Sequence, residues 1–381
     1  MRIGIICYAT VGGSGVVATE LAHALAGRGH DIHLLSADLP FRWRWGTRGL
    51  SFERVESPRY PLFHEPQYLL ALTSALVTLS RRHPLDIIHA HYAVPHATAA
   101  YLAQRILGHD AGRPPKTVTT LHGTDITLVG SDPSYASVVG FSIEASDGVT
   151  AVSESLKRDT AAALGVKRDI AVIPNFLDCH EYGRRPDPEL RARLCPAGAC
   201  QALIIHVSNF RSVKRVGLVL EIFKGIHARM PARLVMVGDG PDRPALERET
   251  EELGLMNDVD FIGEQHDIVS WLSAADLFLL PSAQESFGLA ALEAMACEVP
   301  VIASRVGGLP EVITDGATGF VFEPDDIAGM TACGIALLQD PARCRAIGEA
   351  AAADVKRRFC ESVIVPKYEQ YYDDVLAGRA G

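Results

Sequence analysis

Short runs of apolar, often β-branched residues alternate along the chain with longer stretches whose apolar positions recur at helical spacing. Such runs are typical of parallel strands buried on both faces, and the longer stretches of the helices that connect them in βαβ units. In the first half the pattern predicts strands at Ile3 to Cys7, Ile32 to Ser36, Ile87 to His91, Thr117 to Leu121, Val149 to Val152 and Ile170 to Ile173. Helices are predicted at Ser14 to Arg28, Pro66 to Arg82, Pro95 to Ile106 and Ser153 to Leu164.

The alternation breaks from Asp178 to Cys200, which is rich in Pro, Gly and Arg and is predicted to be a linker. It then resumes, with strands at Ala202 to Val207, Arg233 to Val237, Val259 to Ile262, Leu277 to Leu280 and Val301 to Ala303, and helices at Val216 to Ala228, Arg243 to Leu253 and Leu289 to Cys297. The fold class is therefore α/β, with two Rossmann-like, doubly wound domains, residues 1–178 and 179–361, facing a central cleft. A last helix, Ser362 to Leu376, follows without a new strand, and we expect segment 362–381 to pack back on the first domain.

Charge and cysteine content narrow the classes of function. The chain has 381 residues, with 46 acidic against 36 Lys and Arg side chains and a net charge of −10. This charge disfavours nucleic acids and anionic membranes as partners, and no uncharged run is long enough to span a bilayer. The 8 cysteines lack metal-ligand spacing and are predicted to be reduced thiols in a cytoplasmic protein without a metal site. Whether the chain forms a homo-oligomer stays open.

A glycine-rich motif, Val11 to Val17, follows the first predicted strand and opens the first helix. Glycines allow a ligand to approach the backbone, and a helix N-terminus attracts anions. Gly13 and Gly15 also fit a loose dinucleotide fingerprint with Asp38 as the ribose-binding acid, so an NAD-dependent oxidoreductase is one alternative. A purely structural turn is another. Against the oxidoreductase, Tyr8 to Thr10 intervene between strand and glycines, whereas the dinucleotide turn follows its strand directly.

Two glutamates flank a strand-to-helix junction in the second half. Glu285 is predicted in the loop and Glu293 more than a turn into the helix, on the same face. Between them, the amides of Phe287, Gly288 and Leu289 form a helix N-terminus suited to phosphate. Carboxylates that bind hydroxyl groups, next to amides that bind an anion, suit a nucleotide sugar. The alternative interpretation is that Glu293 is a solvated helix residue and Glu285 a helix cap.

Three further loops follow strands of the second domain. Ser208 to Arg215 contains Lys214 and arginines that would neutralise a diphosphate leaving group, although Arg215 could equally face solvent. Gly240 and Gln265 lie after the next two strands, where a flat ring or phosphate could approach. Parallel strands present their carboxyl ends at one sheet edge, so these loops and the glutamates are predicted to share a nucleotide-binding edge.

These motifs resemble the retaining glycosyltransferases of the GT-B fold that carry an E-x7-E motif, here Glu285 to Glu293, over essentially the whole chain. Several runs are similar to the group within that family that joins N-acetylglucosamine to L-malate in bacillithiol biosynthesis: Cys7-Tyr8 with Val11 to Val17, Leu39 to Arg42, His89 to His96, Thr120 to Thr127, Gly130 to Pro133, Ser208 to Arg211 and Val213 to Arg215. The broad family usually has arginine where this chain has Asn209, with Arg211 two positions later, as in the malate-using group.

The resemblance implies transfer of N-acetylglucosamine from UDP-GlcNAc to the malate hydroxyl with retention, without metal or other cofactor. The implied catalytic residues are His122, Arg211, Lys214 and Glu285. The implied donor-binding residues are Gly13, Asn209, Arg211, Lys214, Gly240, Gln265, Glu285, Phe287, Gly288, Leu289 and Glu293, and the acceptor-binding residues are Ser14, Tyr92, Thr124, Thr150, Asn175 and Arg211. A transferase using inositol phosphate or a glycan and a non-catalytic nucleotide-sugar sensor stay open as alternatives.

Overall fold

A computed structural model describes residues 1–10, 12–57, 67–110, 113–124, 126, 130, 132–196, 198 and 200–380. Val11, Pro66, Asp125, Thr127 and Ser131, which belong to the predicted motifs and elements, lie outside the described residues. The chain divides into two compact units. The first is Met1–Phe176 with Glu361–Gly381, and the second is Leu177–Cys360.

The described part of the first unit contains a seven-stranded parallel sheet. Its strands are β1 (Arg2–Ile6), β2 (Asp31–Ser36), β3 (Leu50–Arg54), β4 (Ile87–His91), β5 (Lys116–Leu121), β6 (Gly148–Ala151) and β7 (Ala171–Val172). Their order across the sheet is β3-β2-β1-β4-β5-β6-β7, so the winding reverses between β1 and β4. In such sheets the loops at the reversal, the topological switch point, form the usual ligand site.

Helices cover this sheet. They are α1 (Ser14–Gly27), α2 (Tyr68–Arg82), α3 (Thr98–His109), α4 (Pro133–Glu144) and α5 (Glu154–Leu164), with a distorted helical turn at Ala93–Ala97. The C-terminal helix, numbered α14 in chain order, spans Glu361–Leu376 and packs into the core of this unit through Tyr368 and Tyr372, both fully buried. The Tyr371 hydroxyl accepts from the Val149 amide at 2.7 Å, which ties this helix to β6.

The second unit has a six-stranded parallel sheet within its described residues. The strands are β8 (Ala202–Val207), β9 (Ala232–Val237), β10 (Val259–Gly263), β11 (Leu277–Leu280), β12 (Val301–Ser304) and β13 (Phe320–Phe322), in the order β10-β9-β8-β11-β12-β13. The switch point therefore lies between β8 and β11. The helices are α6 (Pro188–Leu194), α7 (Val216–His227), α8 (Arg243–Glu252), α9 (Ile268–Ala274), α10 (Leu289–Ala296), α11 (Leu309–Val312), α12 (Ile327–Leu338) and α13 (Pro341–Arg358).

The stretch expected to be a linker, Asp178 to Cys200, belongs to the second unit and contains α6. This helix begins because the Asp187 carboxylate accepts from the Leu190 amide and Pro188 occupies the first turn, a combination that stabilises helix N-termini. Among the described residues, no helix is both long and apolar enough to cross a membrane.

The prediction that all cysteines are reduced is wrong for four of them. The structure pairs Cys179 with Cys360 and Cys195 with Cys200 as disulfides. Cys179 and Cys360 are 181 residues apart in sequence, and they meet because the chain enters and leaves the second unit side by side, where Leu177 bridges to Cys360. Spacing along the chain could not reveal that pair.

Candidate active site

An ion pair lies at the switch point of the second unit. Lys214 ends a short 3-10 helix, Ser212–Lys214, after β8, and Glu285 lies in the loop after β11. The Lys214 ammonium donates to Glu285 Oε2 at 2.6 Å, and the side chains are 20% and 13% exposed. The two residues come together because β8 and β11 are neighbours in the sheet, although they are 71 residues apart. A half-buried cation and a carboxylate thus stand where open α/β sheets bind ligands.

The N-terminus of α10 lies directly after Glu285. Gly288 caps the helix, and Leu289 is its first residue, as the sequence predicts. Phe287 is buried and packs edge-to-face on Phe359 with ring centroids 5.7 Å apart, which anchors the loop. The first amides of a helix have no acceptor within it and carry a partial positive charge. This helix end is therefore suited to an anion.

Glu293 lies on α10 and is buried, with 7% of its surface exposed. Tyr182, which is also buried, donates its hydroxyl to Glu293 Oε1 at 2.9 Å. Sequence reasoning missed this partner, because Tyr182 lies in the stretch taken for a linker, 111 residues away. The hydroxyl satisfies and orients one carboxylate oxygen.

The cations and polar residues after β8 differ in their surroundings. Arg211 and Asn209 are exposed, and Arg211 makes no side-chain hydrogen bond within the residues that the structure describes. Arg215, by contrast, donates to the Pro324 carbonyl at 3.0 Å and pairs with Asp325. Arg215 is therefore held by the loop after β13, whereas Lys214 lies at the switch point beside Glu285 and Arg211 is exposed in the loop after β8. Lys214 and Arg211 are the candidate diphosphate partners.

Gly240 and Gln265 follow β9 and β10. A Cβ at Gly240 would lie 2.5 Å from the Phe210 carbonyl oxygen, so the glycine is required by close packing of the chain on itself, whatever ligand binds nearby. Gln265 is half-buried, and its amide donates to the Ile262 carbonyl at 2.8 Å. That bond holds the loop after β10 and leaves the amide oxygen of Gln265 as the group that a base could use.

The described residues directly after β1 and β4, at the switch point of the first unit, carry no charge. Gly13 caps α1 at φ 56°, a conformation that favours glycine, and a Cβ there would meet open space. The hydroxyl of Ser14, which begins α1 after β1, donates to the hydroxyl of Tyr92, directly after β4, at 2.8 Å. Tyr92 has φ 89°, an unusual value for a bulky residue, and such strain is concentrated at functional sites.

His122 follows β5 and is half-buried. Its Nε2 lies 2.8 Å from Nδ1 of His91, a fully buried residue at the end of β4. Burial lowers the pKa of His122 to about 3 and that of His91 well below its usual range, so both rings are neutral at pH 7. Two neutral histidines can donate and accept hydrogen bonds without adding charge.

The other predicted acceptor residues have different surroundings. Thr124 is exposed, and Asn175 is 5% exposed with a buried side-chain oxygen that has no partner within the described residues. Thr150 is fully buried, and its hydroxyl is 2.7 Å from that of Thr120, which is in turn 2.7 Å from His89 Nε2. The prediction that Thr150 contacts malate directly therefore conflicts with this geometry. Its hydroxyl stabilises the interior.

The geometry agrees with comparisons against known proteins. The model for glycosyltransferase family 4 matches residues 11–181, and that for glycosyl transferases group 1 matches residues 199–354. N-acetyl-alpha-D-glucosaminyl L-malate synthase of Bacillus anthracis is 44% identical over 376 residues, which cover 99% of this chain and 97% of the relative. The chain belongs to glycosyltransferase family 4.

A more distant sequence relative and a solved structure are also similar to this chain. D-inositol 3-phosphate glycosyltransferase 2 of Catenulispora acidiphila is 27% identical, over 94% of this chain and 93% of that protein. The solved structure of Anabaena HepE in complex with UDP-glucose has a TM-score of 0.80 at 21% identity, over 98% of this chain and 100% of that one. The predicted GT-B fold with two Rossmann-like domains is confirmed.

The family assignment disfavours the oxidoreductase, and the structure gives a physical reason. Asp38, the acid that dinucleotide binding would require, is exposed beyond the end of β2 and pairs with Arg54 at 2.8 Å. Within the part of the chain that the structure describes, no group of three or more His, Cys, Asp or Glu residues is arranged to hold a metal.

Proposed function

We propose that this glycosyltransferase transfers N-acetylglucosamine from UDP-GlcNAc to the hydroxyl of L-malate, with retention of the α configuration and release of UDP. The observation that most directly supports this proposal is that the sequence similarity to the malate synthase extends through both units. It thus includes the switch point that holds Lys214 and Glu285 and the one that holds Ser14 and Tyr92. The substrates are two small molecules.

The donor is proposed to bind the second unit. Lys214, Arg211 and the first amides of α10 would receive the diphosphate, since all three supply positive charge. Glu293, oriented by Tyr182, would accept from the ribose hydroxyls through its other oxygen. Glu285 would accept from a hydroxyl of the sugar.

The acceptor is proposed to bind the first unit. Ser14 and Tyr92 supply hydroxyl groups at its switch point, next to the first amides of α1, which suit a carboxylate. The unpartnered oxygen of Asn175 supports a polar ligand, because buried polar groups in folded proteins nearly always have a hydrogen-bond partner.

In the proposed reaction, the bond between the anomeric carbon and the diphosphate oxygen breaks, and the malate oxygen forms its bond on the same face. The malate proton passes to the departing phosphate oxygen, so no enzymic nucleophile is needed. Negative charge grows on the diphosphate, and Lys214, Arg211 and α10 stabilise it. We propose that transfer needs no metal, and full activity after treatment with EDTA would support this.

An acceptor panel tests the proposal. Purified protein with UDP-GlcNAc should release UDP at least about tenfold faster with L-malate than with buffer, inositol phosphate, D-malate or a glycan primer. UDP release with inositol phosphate alone would replace the acceptor and keep the enzyme class. Binding of UDP-GlcNAc without UDP release for any acceptor would indicate a sensor, and tight NADH binding without UDP binding would revive the oxidoreductase.

The cytoplasm is the proposed compartment, because the donor is a nucleotide sugar. A reporter fusion that is active only in the cytoplasm tests this proposal. The test is informative because disulfides are rare in cytoplasmic proteins and the structure contains two. Light scattering on the eluting peak of a size-exclusion column would establish whether the chain forms a homo-oligomer.

A further inference from the structure

The ring of His91 is joined edge to edge to the ring of His122. Their centroids are 5.1 Å apart and their planes differ by 21°, and Nδ1 of His91 is 2.8 Å from Nε2 of His122. Face-to-face stacking would not place two ring nitrogens at hydrogen-bond distance in nearly one plane. One proton therefore lies between these nitrogens, and its position fixes the tautomer of both rings.

The surroundings of His91 decide which ring donates. Its Nε2 is buried and has no hydrogen-bond partner among the described residues. If that atom carried the proton, an N–H group would be orphaned in the core, and orphaned buried N–H groups are rare in proteins. A proton on Nδ1 leaves only an unpaired acceptor at Nε2. His91 then donates to His122.

The neighbours of His91 favour the same state. The His96 ring lies 2.5 Å from the His91 carbonyl oxygen through Nδ1, so it donates there and leaves the His91 ring untouched. The His89 ring, whose centroid is 4.5 Å from that of His91, uses its two nitrogens on Tyr372 and Thr120. A second proton on His91 would add a charge among these uncharged rings, and burial lowers the pKa of His91 accordingly.

The hydrogen bond from His91 fixes the tautomer of His122. Because its Nε2 accepts from His91, its single proton must lie on Nδ1, the nitrogen that makes no hydrogen bond within the described residues. We propose that His91 is a positioning residue that holds His122 in the Nδ1–H tautomer, so that Nδ1–H is the group with which His122 can donate a hydrogen bond to a substrate oxygen. This inference rests on the proposed function for the identity of the substrate, but the tautomer itself does not.

Nitrogen-15 NMR of the full-length protein tests the tautomer without substrate. Long-range proton–nitrogen correlations should show His122 protonated at Nδ1 in the wild type. In His91→Leu this tautomer should lose its dominance, whereas His91→Asn, whose amide places a donor near the Nδ1 position, should keep it. His96→Asn is the matched control: it removes a buried ring not bonded to His122 and should leave the His122 signals unchanged. A His122 proton on Nε2 in the wild type overturns the proposal.

Kinetics provide the second measurement. His91→Leu should lower kcat about tenfold, as expected for loss of one neutral hydrogen bond, with KM for UDP-GlcNAc within about twofold. His91→Asn should recover most of that loss. If His91→Asn lowers kcat as much as His91→Leu does, and circular dichroism shows that both variants are folded, the proposed effect on the tautomer is contradicted. If the wild type gives no transfer to malate but His122 has the expected tautomer, the proposed function fails while the His91 assignment stands.

Discussion

Each unit has a side-chain contact at the switch point of its sheet, but the contact is charged in one unit and neutral in the other. In each sheet, the loop after the first strand of the unit meets the loop after the fourth. In the second unit that contact is the ion pair of Lys214 and Glu285 at 2.6 Å, and in the first it is the neutral hydrogen bond of Ser14 and Tyr92 at 2.8 Å. The edge with Lys214 suits a diphosphate that gains negative charge. The neutral edge, with the first amides of α1, suits a carboxylate of the acceptor.

The comparison teaches that the doubly wound topology supplies the meeting point and the side chains supply the chemistry. Strand order brings the two loops together in either unit, so the loop sequences alone determine what each edge binds. Substitutions at one edge should therefore affect one substrate and leave the other nearly unaffected.

Replacing Lys214 should have the largest effect. Lys214→Ala removes the half-buried ammonium that we assign to the diphosphate, and it leaves Glu285 without its ion-pair partner. We expect kcat/KM for UDP-GlcNAc to fall about 100- to 1000-fold, the usual loss for a group that stabilises developing charge. Calorimetry should show that the variant loses affinity for UDP but not for uridine, which lacks the diphosphate.

Arg215→Ala is the matched control for this prediction, because Arg215 is the next residue and its guanidinium is held by Asp325 and the Pro324 carbonyl. It should change the ratio of UDP to uridine affinity by less than about threefold, as a surface ion pair would. Equal losses in both variants would mean that the positive charge acts at long range, and the contrast between the two switch points would lose its basis.

The next effect concerns stability. Gly240→Ala places a Cβ 2.5 Å from the Phe210 carbonyl oxygen, and a backbone atom cannot move aside. The variant should lose about 1–3 kcal/mol of unfolding free energy, as overpacked sites do. Gly12→Ala is the control in the first unit, where a Cβ meets nothing within 4 Å, and it should stay within about 0.5 kcal/mol. Urea denaturation measures both values. An unchanged unfolding free energy in Gly240→Ala would contradict the packing role of Gly240.

Much of the fold could be predicted because its strands are buried on both faces. β8 and β11 have the predicted bounds; β11 is an apolar run, and β8 is apolar except for His206. Two edge strands were not predicted: β3, which is half-exposed along Leu50–Arg54, and β13, which has only three residues. A half-exposed or very short strand carries too few apolar positions to stand out from a loop.

Within the candidate site, residues directly after strands could be predicted, because a parallel sheet aligns its strand ends. Partners that come from elsewhere in the chain could not. Tyr182 reaches Glu293 from an irregular stretch. His91 is not among the predicted site residues, because nothing in a strand sequence shows which side chain its ring will meet. Thr150 is an acceptor residue by family resemblance, yet it lies within β6, whose residues are all buried, and its hydroxyl is 2.7 Å from that of Thr120.

The smallest effects are expected from removing one hydroxyl at each edge. Tyr182→Phe deletes the donor to Glu293 Oε1, and Tyr92→Phe deletes the partner of Ser14. Because each change removes one neutral or charge-assisted hydrogen bond, we expect KM to rise about five- to tenfold for one substrate only. Tyr182→Phe should raise KM for UDP-GlcNAc, and Tyr92→Phe should raise KM for malate. Initial rates with each substrate varied in turn measure both.

The two variants are controls for each other, since both exchange tyrosine for phenylalanine at a site that is not fully exposed. Tyr135→Phe, on the exposed surface of α4, adds a control for the exchange itself and should change neither constant. A rise in both KM values in either tyrosine variant would show that the two edges act on the substrates jointly. In that case the neutral and the charged switch points would be parts of one binding event, and the assignment of one substrate to each unit would be wrong.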